Sequence, residues 1–202
     1  MQPVLINLHL PYETMKLRVY SDTETELIEQ CRNGQRKAQR DLFERHAGTM
    51  LAVCCRYISD KSEAEDVMIT AFAKVFEKLN QFKHEGSFEG WIRRIMVNES
   101  LTYIRRNKHM YLEVDIEDAH RQPDYAVLDN HLHAEDLMKL VEQLPTGYRT
   151  VFNMFAIEGF SHKEIAEAMG ISENTSKSQL SRARAMLQKH LLKREEAINK
   201  IK

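Results

Sequence analysis

The sequence contains few of the residues that cross-link a chain, break its helices or carry it through a membrane. It has 3 cysteines, 4 prolines and 7 glycines in 202 residues, and no apolar run of membrane-spanning length. This composition favours helices and allows one or two globular domains. Cys31, Cys54 and Cys55 are an odd set without C-x-x-C spacing, which argues against disulfides and zinc and favours core or boundary thiols.

A secretion signal is also missing from the start of the sequence. The apolar segment from Val4 to Leu10 lacks the basic flank and the cleavage site of a signal peptide. With 43% hydrophobic and 29% charged residues, the composition is typical of a globular intracellular protein. We therefore expect a cytoplasmic protein without membrane insertion.

Neither sign of charge is in excess, since the net charge is -1 and the pI is about 6.8. The two signs are nevertheless segregated along the chain. The middle is acidic, with Glu113, Asp115, Glu117, Asp118, Asp124, Asp129, Glu135 and Asp136. The C-terminal part is basic, with Lys177, Arg182, Arg184, Lys189, Lys193 and Arg194. Overall neutrality therefore does not exclude DNA binding.

The acidic middle divides the chain into two helical units. Residues 107–133 contain Pro123 and show no sustained apolar period, which is typical of a flexible linker. We predict an all-α protein with a helical domain at residues 23–106 and a second at residues 134–194. Residues 1–22 would then be an N-terminal extension and residues 195–202 a C-terminal tail.

Two helices in the second unit have the pattern of a helix-turn-helix. Ser161 and Glu164 have the spacing of a capping box, and Gly170 is placed to end a helix that begins at His162. Ser172 is placed to cap the next helix. That helix has an apolar stripe at four- and three-residue spacing, formed by Ser176, Leu180, Ala183 and Leu187.

The opposite face of this second helix suits a major groove. Its first turn is polar and small, so it can reach base edges, while its cations can neutralise phosphates. The face comprises Glu173, Asn174, Thr175, Lys177, Ser178, Ser181 and Arg182. A capped helical hairpin with a solvated basic face is the alternative, but the small Ala166, the Gly170 turn and the apolar Ile171 favour two helices that cross steeply.

In the first unit, the helix predicted to begin at Ser62 has a mixed outer face. Asp66, Ile69, Thr70 and Ala73 project away from its apolar stripe and combine one carboxylate with apolar surface. Such a face can dock another protein. On the residues alone, an ordinary solvated face with one stray isoleucine is the favoured interpretation.

A further helix is predicted from Phe88 to Arg106, after a polar loop that contains Phe82, Lys83 and His84. It has two apolar faces, and a narrow edge of Arg94, Asn98 and Arg105 lies between them. This edge and loop suit the phosphates and unpaired bases of a single strand. Interior packing with a charged rim is the alternative.

The two units together resemble a known family. The segments in order are AEDVMITAFAKVF, FKHEGSFEGWIRRIMVNESLTYIRR, an acidic linker, LPTGYRTVFNMFAIEGFSHKEIAEAMGIS and SQLSRARAML. They resemble bacterial sigma-70-family factors of the small extracytoplasmic-function (ECF) group, which keep regions 2 and 4. The resemblance implies a subunit without catalysis or cofactor that docks on core RNA polymerase, binds promoter DNA and opens it.

The resemblance also implies a role for each surface. The Asp66 face would bind the coiled coil of the largest catalytic subunit, and the region 4 unit would bind the flap of the polymerase. The helix that begins at Glu173 would read the minus-thirty-five element. Capture of a flipped minus-ten base and of the melted strand would involve Phe82, Lys83, Phe88, Arg94, Asn98, Arg105 and Arg106. An anti-sigma factor is a further implied partner.

Several positions depart from the family pattern. Ile69 and Thr70 replace the usual glutamine and acidic residue, Ser176 stands where valine is common, and Gln179 stands where arginine is common. A helix-turn-helix regulator that acts without polymerase docking is the main rival, but the first unit lacks the strand pattern of a regulatory domain. His131 and His133 with a nearby carboxylate are metal candidates, yet they lack the apolar shielding that metal sites require.

Overall fold

The computed structural model describes residues 23–107 and 134–199, which form helices and turns without a strand. The helices are α1 (23–32), α2 (Arg36–Cys55), α3 (Lys61–Glu77), α4 (Phe88–Arg106), α5 (Ala134–Glu142), α6 (Thr146–Phe152), α7 (His162–Met169) and α8 (Glu173–Asn199). The predicted all-α fold is confirmed. The N-terminal extension, the linker beyond Asn107 and the metal candidates His131 and His133 lie outside the described residues.

The N-terminal domain, residues 23–107, is a bundle in which α2, α3 and α4 pack against one another. The apolar side chains of the three helices form a common core, as the periodicity predicts. The largest fully buried side chains there include Leu42, Met50, Tyr57, Phe72, Phe88, Ile92 and Met96. This packing leaves the outer faces of α3 and α4 exposed, so both candidate surfaces of this domain reach solvent.

The start of α3 differs from the prediction. The helix begins at Lys61 rather than Ser62, and its N-cap is Asp60, whose carboxylate accepts a hydrogen bond from the Glu63 backbone N–H at 3.0 Å. Aspartate caps a helix as well as serine does, and Asp60 comes first in the chain. Asp60 therefore takes the capping position and leaves Ser62 exposed in the first turn.

The C-terminal domain, residues 134–199, confirms the predicted helix-turn-helix. Ser161 and Glu164 form a capping box at the start of α7, and Gly170 ends that helix with φ +67°. Ser172 caps α8 by accepting a hydrogen bond from the Thr175 backbone N–H at 3.0 Å. All four residues of the predicted α8 stripe are buried. The two helices are thereby fixed at both sides of a short turn.

Two boundaries in this domain were not predicted. α6 continues into a π-helical turn, Asn153–Ile157, in which the backbone repeat widens. α8 continues to Asn199, past the boundary predicted at 194. The residues beyond that boundary contain neither glycine nor proline and include good helix formers, so no local signal stops the helix.

The two domains pack against each other. The core cluster of the N-terminal domain also contains Val151, Met154 and Ile165 from the C-terminal domain. A second cluster, which joins α5 and α8, lies wholly within the C-terminal domain. The predicted division at the linker therefore separates two units of sequence that share one apolar interface.

The described part of the chain contains neither a membrane-spanning helix nor a cluster of metal ligands. None of its helices has the length and apolar character of a membrane span. None of its clusters of histidine, cysteine and carboxylate side chains is suited to a metal ion. Cys31 and Cys54 are buried, and burial raises the pKa of the Cys54 thiol to about 11, so that thiol stays protonated and unreactive.

Candidate nucleic-acid interface

The first turns of α8 present a polar surface on the C-terminal domain. Glu173, Asn174, Lys177 and Ser178 are exposed, whereas Thr175 is half-buried. The Thr175 hydroxyl lies 2.9 Å from the Ser172 hydroxyl, so its side chain belongs to the cap. The exposed members of the predicted face are therefore gathered at the amino end of α8, which is the end that a recognition helix inserts in a major groove.

The later part of the predicted face is less open. Ser181 and Arg182 are half-buried, and the Arg182 Nη1 lies 3.4 Å from the Tyr148 hydroxyl of α6. Arginine at this position therefore contacts its own domain as well as solvent.

A polar contact between α7 and α8 was not predicted. His162 Nδ1 lies 2.9 Å from the hydroxyl of Ser176, which is fully buried, and the His162 ring stacks on Phe155 at 4.7 Å between centroids. Burial lowers the pKa of His162, which favours the neutral ring. Serine at a position where the family commonly has valine is therefore accommodated by a hydrogen bond between the two helices.

The edge of α4 is exposed as predicted. Arg94, Asn98, Arg105 and Arg106 all reach solvent. Arg94 is the one with a partner in the other domain, because its guanidinium lies 5.6 Å from the centre of the Phe160 ring and 3.5 Å from Glu164. Asn98 and Arg105 continue the same edge, with Thr102 between them hydrogen-bonded to both.

The loop before α4 has a strained and exposed tip. Lys83 and His84 are exposed, and His84 has φ +59°, a conformation that non-glycine residues rarely adopt. Gly86 follows with φ +96°, and Ser87 then caps α4 by accepting a hydrogen bond from the Gly90 N–H at 3.0 Å. A strained conformation persists only where the surrounding structure holds it, and such residues cluster at binding sites.

The aromatic side chains of this loop are buried, whereas the predicted DNA contacts of Phe82 and Phe88 need exposed rings. Phe82 is 6% exposed and Phe88 is 2% exposed. Their rings pack on each other at 5.0 Å between centroids and on the half-buried Trp91 at 5.6 and 5.7 Å. Apolar burial outweighs exposure for rings of this size, so Phe82 and Phe88 support the loop from beneath and do not face a strand.

Arg32 in α1 holds the start of the same loop, and sequence inspection did not single it out. Its guanidinium donates to the Leu79 carbonyl at 3.2 Å and to the Phe82 carbonyl at 2.7 Å. Glu29, one turn earlier in α1, pairs with it. These contacts cross 47 and 50 residues of sequence, so no local pattern reveals them.

Arg32→Gln should loosen this loop without unfolding the domain. Loss of the charge-assisted hydrogen bonds to these two carbonyls should speed hydrogen exchange at the Phe82 amide about tenfold. Exchange measured by mass spectrometry on the full chain checks this, with the exposed Arg36→Gln variant as the matched control. Equal exchange rates in both variants would contradict a holding role for Arg32.

The outer face of α3 is open over its whole length. Asp66, Ile69, Thr70 and Ala73 are all exposed, and Ile69 has 57% of its surface accessible. Ile69 and Leu192 are the two exposed large hydrophobic side chains among those whose burial the structure describes. Ile69 lies beside a carboxylate on a regular helix, which is the mixture predicted for a protein-docking face.

Comparisons with known proteins agree with this organisation. Residues 42–110 match the sigma-70 region 2 family and residues 134–187 match the sigma-70 region 4 family. The ECF RNA polymerase sigma factor SigE of Mycolicibacterium smegmatis is 30% identical over 76% of this chain, and the match spans 61% of that protein. The RNA polymerase sigma-H factor of Pseudomonas aeruginosa is 27% identical over 84% of this chain and 94% of its own length.

Among solved structures, the sigma factor RpoE of Bartonella quintana, in complex with the anti-sigma factor NepR, is 22% identical. The match covers 75% of this chain and 95% of that one, with a TM-score of 0.46. Both family models fall on the two domains described above, in the order region 2 and then region 4. The chain therefore belongs to the sigma-70 family and is an RNA polymerase sigma factor of the ECF group.

Proposed function

We propose that this protein directs core RNA polymerase to promoters through two separate DNA surfaces, one on each domain. The observation that carries the proposal is that one chain has both surfaces. The exposed edge of Arg94 and Asn98 lies beside the loop before α4, and the exposed amino end of α8 is capped by Ser172. The protein acts in the cytoplasm and supplies binding energy, while the polymerase supplies the chemistry.

The C-terminal domain reads the minus-thirty-five element. The amino end of α8 enters the major groove, where Asn174 and Ser178 are placed to reach base edges and Lys177 is placed to neutralise a phosphate. Glu173, Thr175, Ser181 and Arg182 border this contact. The surface carries few cations, so the free protein binds duplex DNA weakly and with modest salt dependence.

The N-terminal domain holds the melted minus-ten strand. Asn98 offers both a donor and an acceptor to an unpaired base, and Arg94 offers a charged plane beside it. Arg105 and Arg106 lie about two turns beyond Asn98 along α4, near the backbone of the strand. The loop tip at Lys83 and His84 captures a flipped base, and that contact offsets the few kcal/mol that unstacking costs.

The outer face of α3 docks on the polymerase. Asp66 and Thr70 supply polar contacts to the coiled coil of the largest catalytic subunit, and Ile69 and Ala73 supply apolar ones. Because Ile69 and Thr70 replace a polar pair, this contact depends more on apolar burial than it does in relatives. The C-terminal domain docks on the flap of the polymerase and thereby sets the spacing between the two DNA surfaces.

Ile69→Glu should weaken the complex with core polymerase and leave the fold unchanged. Burial of an isoleucine side chain contributes about 1.5–3 kcal/mol, so the dissociation constant should rise about tenfold or more. Fluorescence anisotropy with labelled protein and purified core polymerase measures it. Thr49→Glu, at an exposed position of α2 in the same domain, is the control and should bind normally. Equal losses in the two variants would contradict the α3 assignment.

Promoter binding with and without polymerase separates a sigma factor from a stand-alone regulator. The protein alone should retain a promoter fragment weakly and without sequence preference, and core polymerase should add specificity for two upstream motifs. A mobility-shift assay at two salt concentrations tests this. Tight, specific binding by the protein alone would support the helix-turn-helix regulator instead.

An anti-sigma factor is the proposed regulatory partner, because both DNA surfaces must be covered to silence a factor of this group. It should co-purify with the protein from unstimulated cells of the source organism. Recovery of the protein only with polymerase would argue against such masking.

A further inference from the structure

The C-terminal end of α2 carries backbone carbonyls that the helix itself does not satisfy. α2 ends at Cys55, and the carbonyls of Arg56 and Tyr57 lie in the turn that follows. The last carbonyls of a helix need donors from elsewhere, and a cation is favoured near them. In this structure the donors come from the C-terminal domain.

Arg149 and Asn153 supply those donors. Arg149 donates to the Tyr57 carbonyl at 3.1 Å and to the Ser59 hydroxyl at 2.8 Å, and only 4% of its surface is exposed. Asn153, the first residue of the π-helical turn, donates to the Arg56 carbonyl at 2.7 Å and is fully buried. Two polar side chains of one domain are therefore enclosed by their contacts with the other.

An ion pair closes the same junction. The Arg56 Nη2 lies 2.5 Å from the Glu158 Oε1, and their side chains are 19% and 5% exposed. Removal of one charge from a pair this enclosed strongly destabilises the junction, because the other charge is left buried without compensation. Val151 and Met154 lie behind it in the shared apolar cluster. Hydrogen bonds, charge and apolar packing thus coincide on one surface.

The docked arrangement is incompatible with simultaneous binding of both promoter elements. The minus-ten and minus-thirty-five elements lie about 25 base pairs apart, which is about 85 Å along the DNA at about 3.4 Å per base pair. A domain of this size has a radius of gyration of about 12 Å, so the centres of two docked domains lie only about 25 Å apart. Docking also brings Glu164 of the C-terminal domain to 3.5 Å from the Arg94 guanidinium, so a carboxylate competes there with a phosphate of the DNA strand.

We propose that the surface formed by Arg149, Asn153 and Glu158 is a docking site for the C-terminal end of α2, and that the docked form is a closed state that opens when the protein binds polymerase and promoter. The promoter-binding consequence depends on the function proposed above, but the docking itself does not. Only the open form spans a promoter. The apparent affinity for polymerase and promoter is therefore the affinity of the open form multiplied by the fraction of the protein that is open.

Charge reversal at the ion pair tests the docking on the full chain. Arg56→Glu and Glu158→Arg, each alone, should shift the docking equilibrium toward the open form about tenfold or more. The radius of gyration from small-angle X-ray scattering should rise by about 5 Å. The double variant Arg56→Glu with Glu158→Arg restores opposite charges and should return to the wild-type value.

The exposed ion pair of Lys61 and Glu65 provides the matched control, and Lys61→Glu should leave the radius unchanged. If both single variants keep the wild-type radius and remain folded, or if the double variant stays expanded, the docking proposal is overturned. Open variants that transcribe no better than wild type would overturn only the promoter-binding consequence. Because scattering needs neither DNA nor polymerase, failure of the proposed function would leave the docking result intact and distinguishable.

Discussion

Asn98→Ala should fold normally and lose about 10- to 100-fold in promoter opening. Asn98 is exposed on α4, and alanine has the higher helix propensity, so the helix is not weakened. The variant removes hydrogen bonds to the melted strand worth about 1–3 kcal/mol. Permanganate footprinting of unpaired thymines, with core polymerase and a promoter identified for this factor, measures the loss.

The matched variant is Asn174→Ala, which removes the same side chain from the exposed amino end of α8. It should reduce the number of promoter complexes formed but leave the fraction of them that is opened unchanged. Circular dichroism confirms that both variants are folded. If Asn98→Ala opened the promoter as well as wild type does, the α4 edge would not be the strand-binding surface.

Phe88→Ala should destabilise the N-terminal domain by about 3–5 kcal/mol, which is the usual cost of a cavity left by a buried phenylalanine. Phe88 is 2% exposed and contacts Phe82, Trp91 and His46. A domain of this kind has about 5–15 kcal/mol in total, so the loss is a large fraction of its stability. The midpoint of urea unfolding should fall accordingly.

Trp91 makes this measurement specific to one domain. It is the single tryptophan of the chain and stacks beside Phe88 at 5.7 Å, so its fluorescence reports the N-terminal domain. The control is Ile69→Ala, which also truncates a large apolar side chain but at a site 57% exposed. It should change stability by about 0.5 kcal/mol or less. A Phe88→Ala protein as stable as that control would return Phe88 to the surface role predicted from sequence.

The helix-turn-helix was predictable because its determinants are local. A capping box, a glycine with positive φ and a four- and three-residue apolar stripe act within a few residues of one another. The same locality explains why α4 was predicted from Phe88 to Arg106. Where two residues competed for one local role, as Asp60 and Ser62 did at the start of α3, the pattern alone did not decide between them.

The exposure of the aromatic residues was harder to predict. Phe82 and Phe88 flank a polar loop, so their sequence neighbours suggest an exposed surface, yet both rings turn inward. Their burial depends on Trp91 and on α2, which the chain brings to the loop only on folding. The buried hydroxyl of Ser176 presents the same difficulty, because its partner His162 lies 14 residues earlier.

The contact between the domains was not predictable from sequence at all. In the sequence, nothing distinguishes Arg149, Asn153 and Glu158 from ordinary polar residues of a helical segment. Arg56 likewise has the pattern of a charged residue at the end of a helix. They meet across about 90 to 100 residues of sequence, and their pairing depends on how two complete domains pack. Periodicity reports which face of a helix is buried but not which domain buries it.

Run-off transcription with core polymerase from the source organism, with and without this protein, tests sigma-factor function most directly. Fragmented genomic DNA serves as template, and the starts of the transcripts are sequenced. The expected result is a set of discrete new starts that share two upstream motifs. Asn98→Ala should reduce transcription from these starts, because it impairs promoter opening. An absence of new starts, with folded protein and active core polymerase, would contradict it.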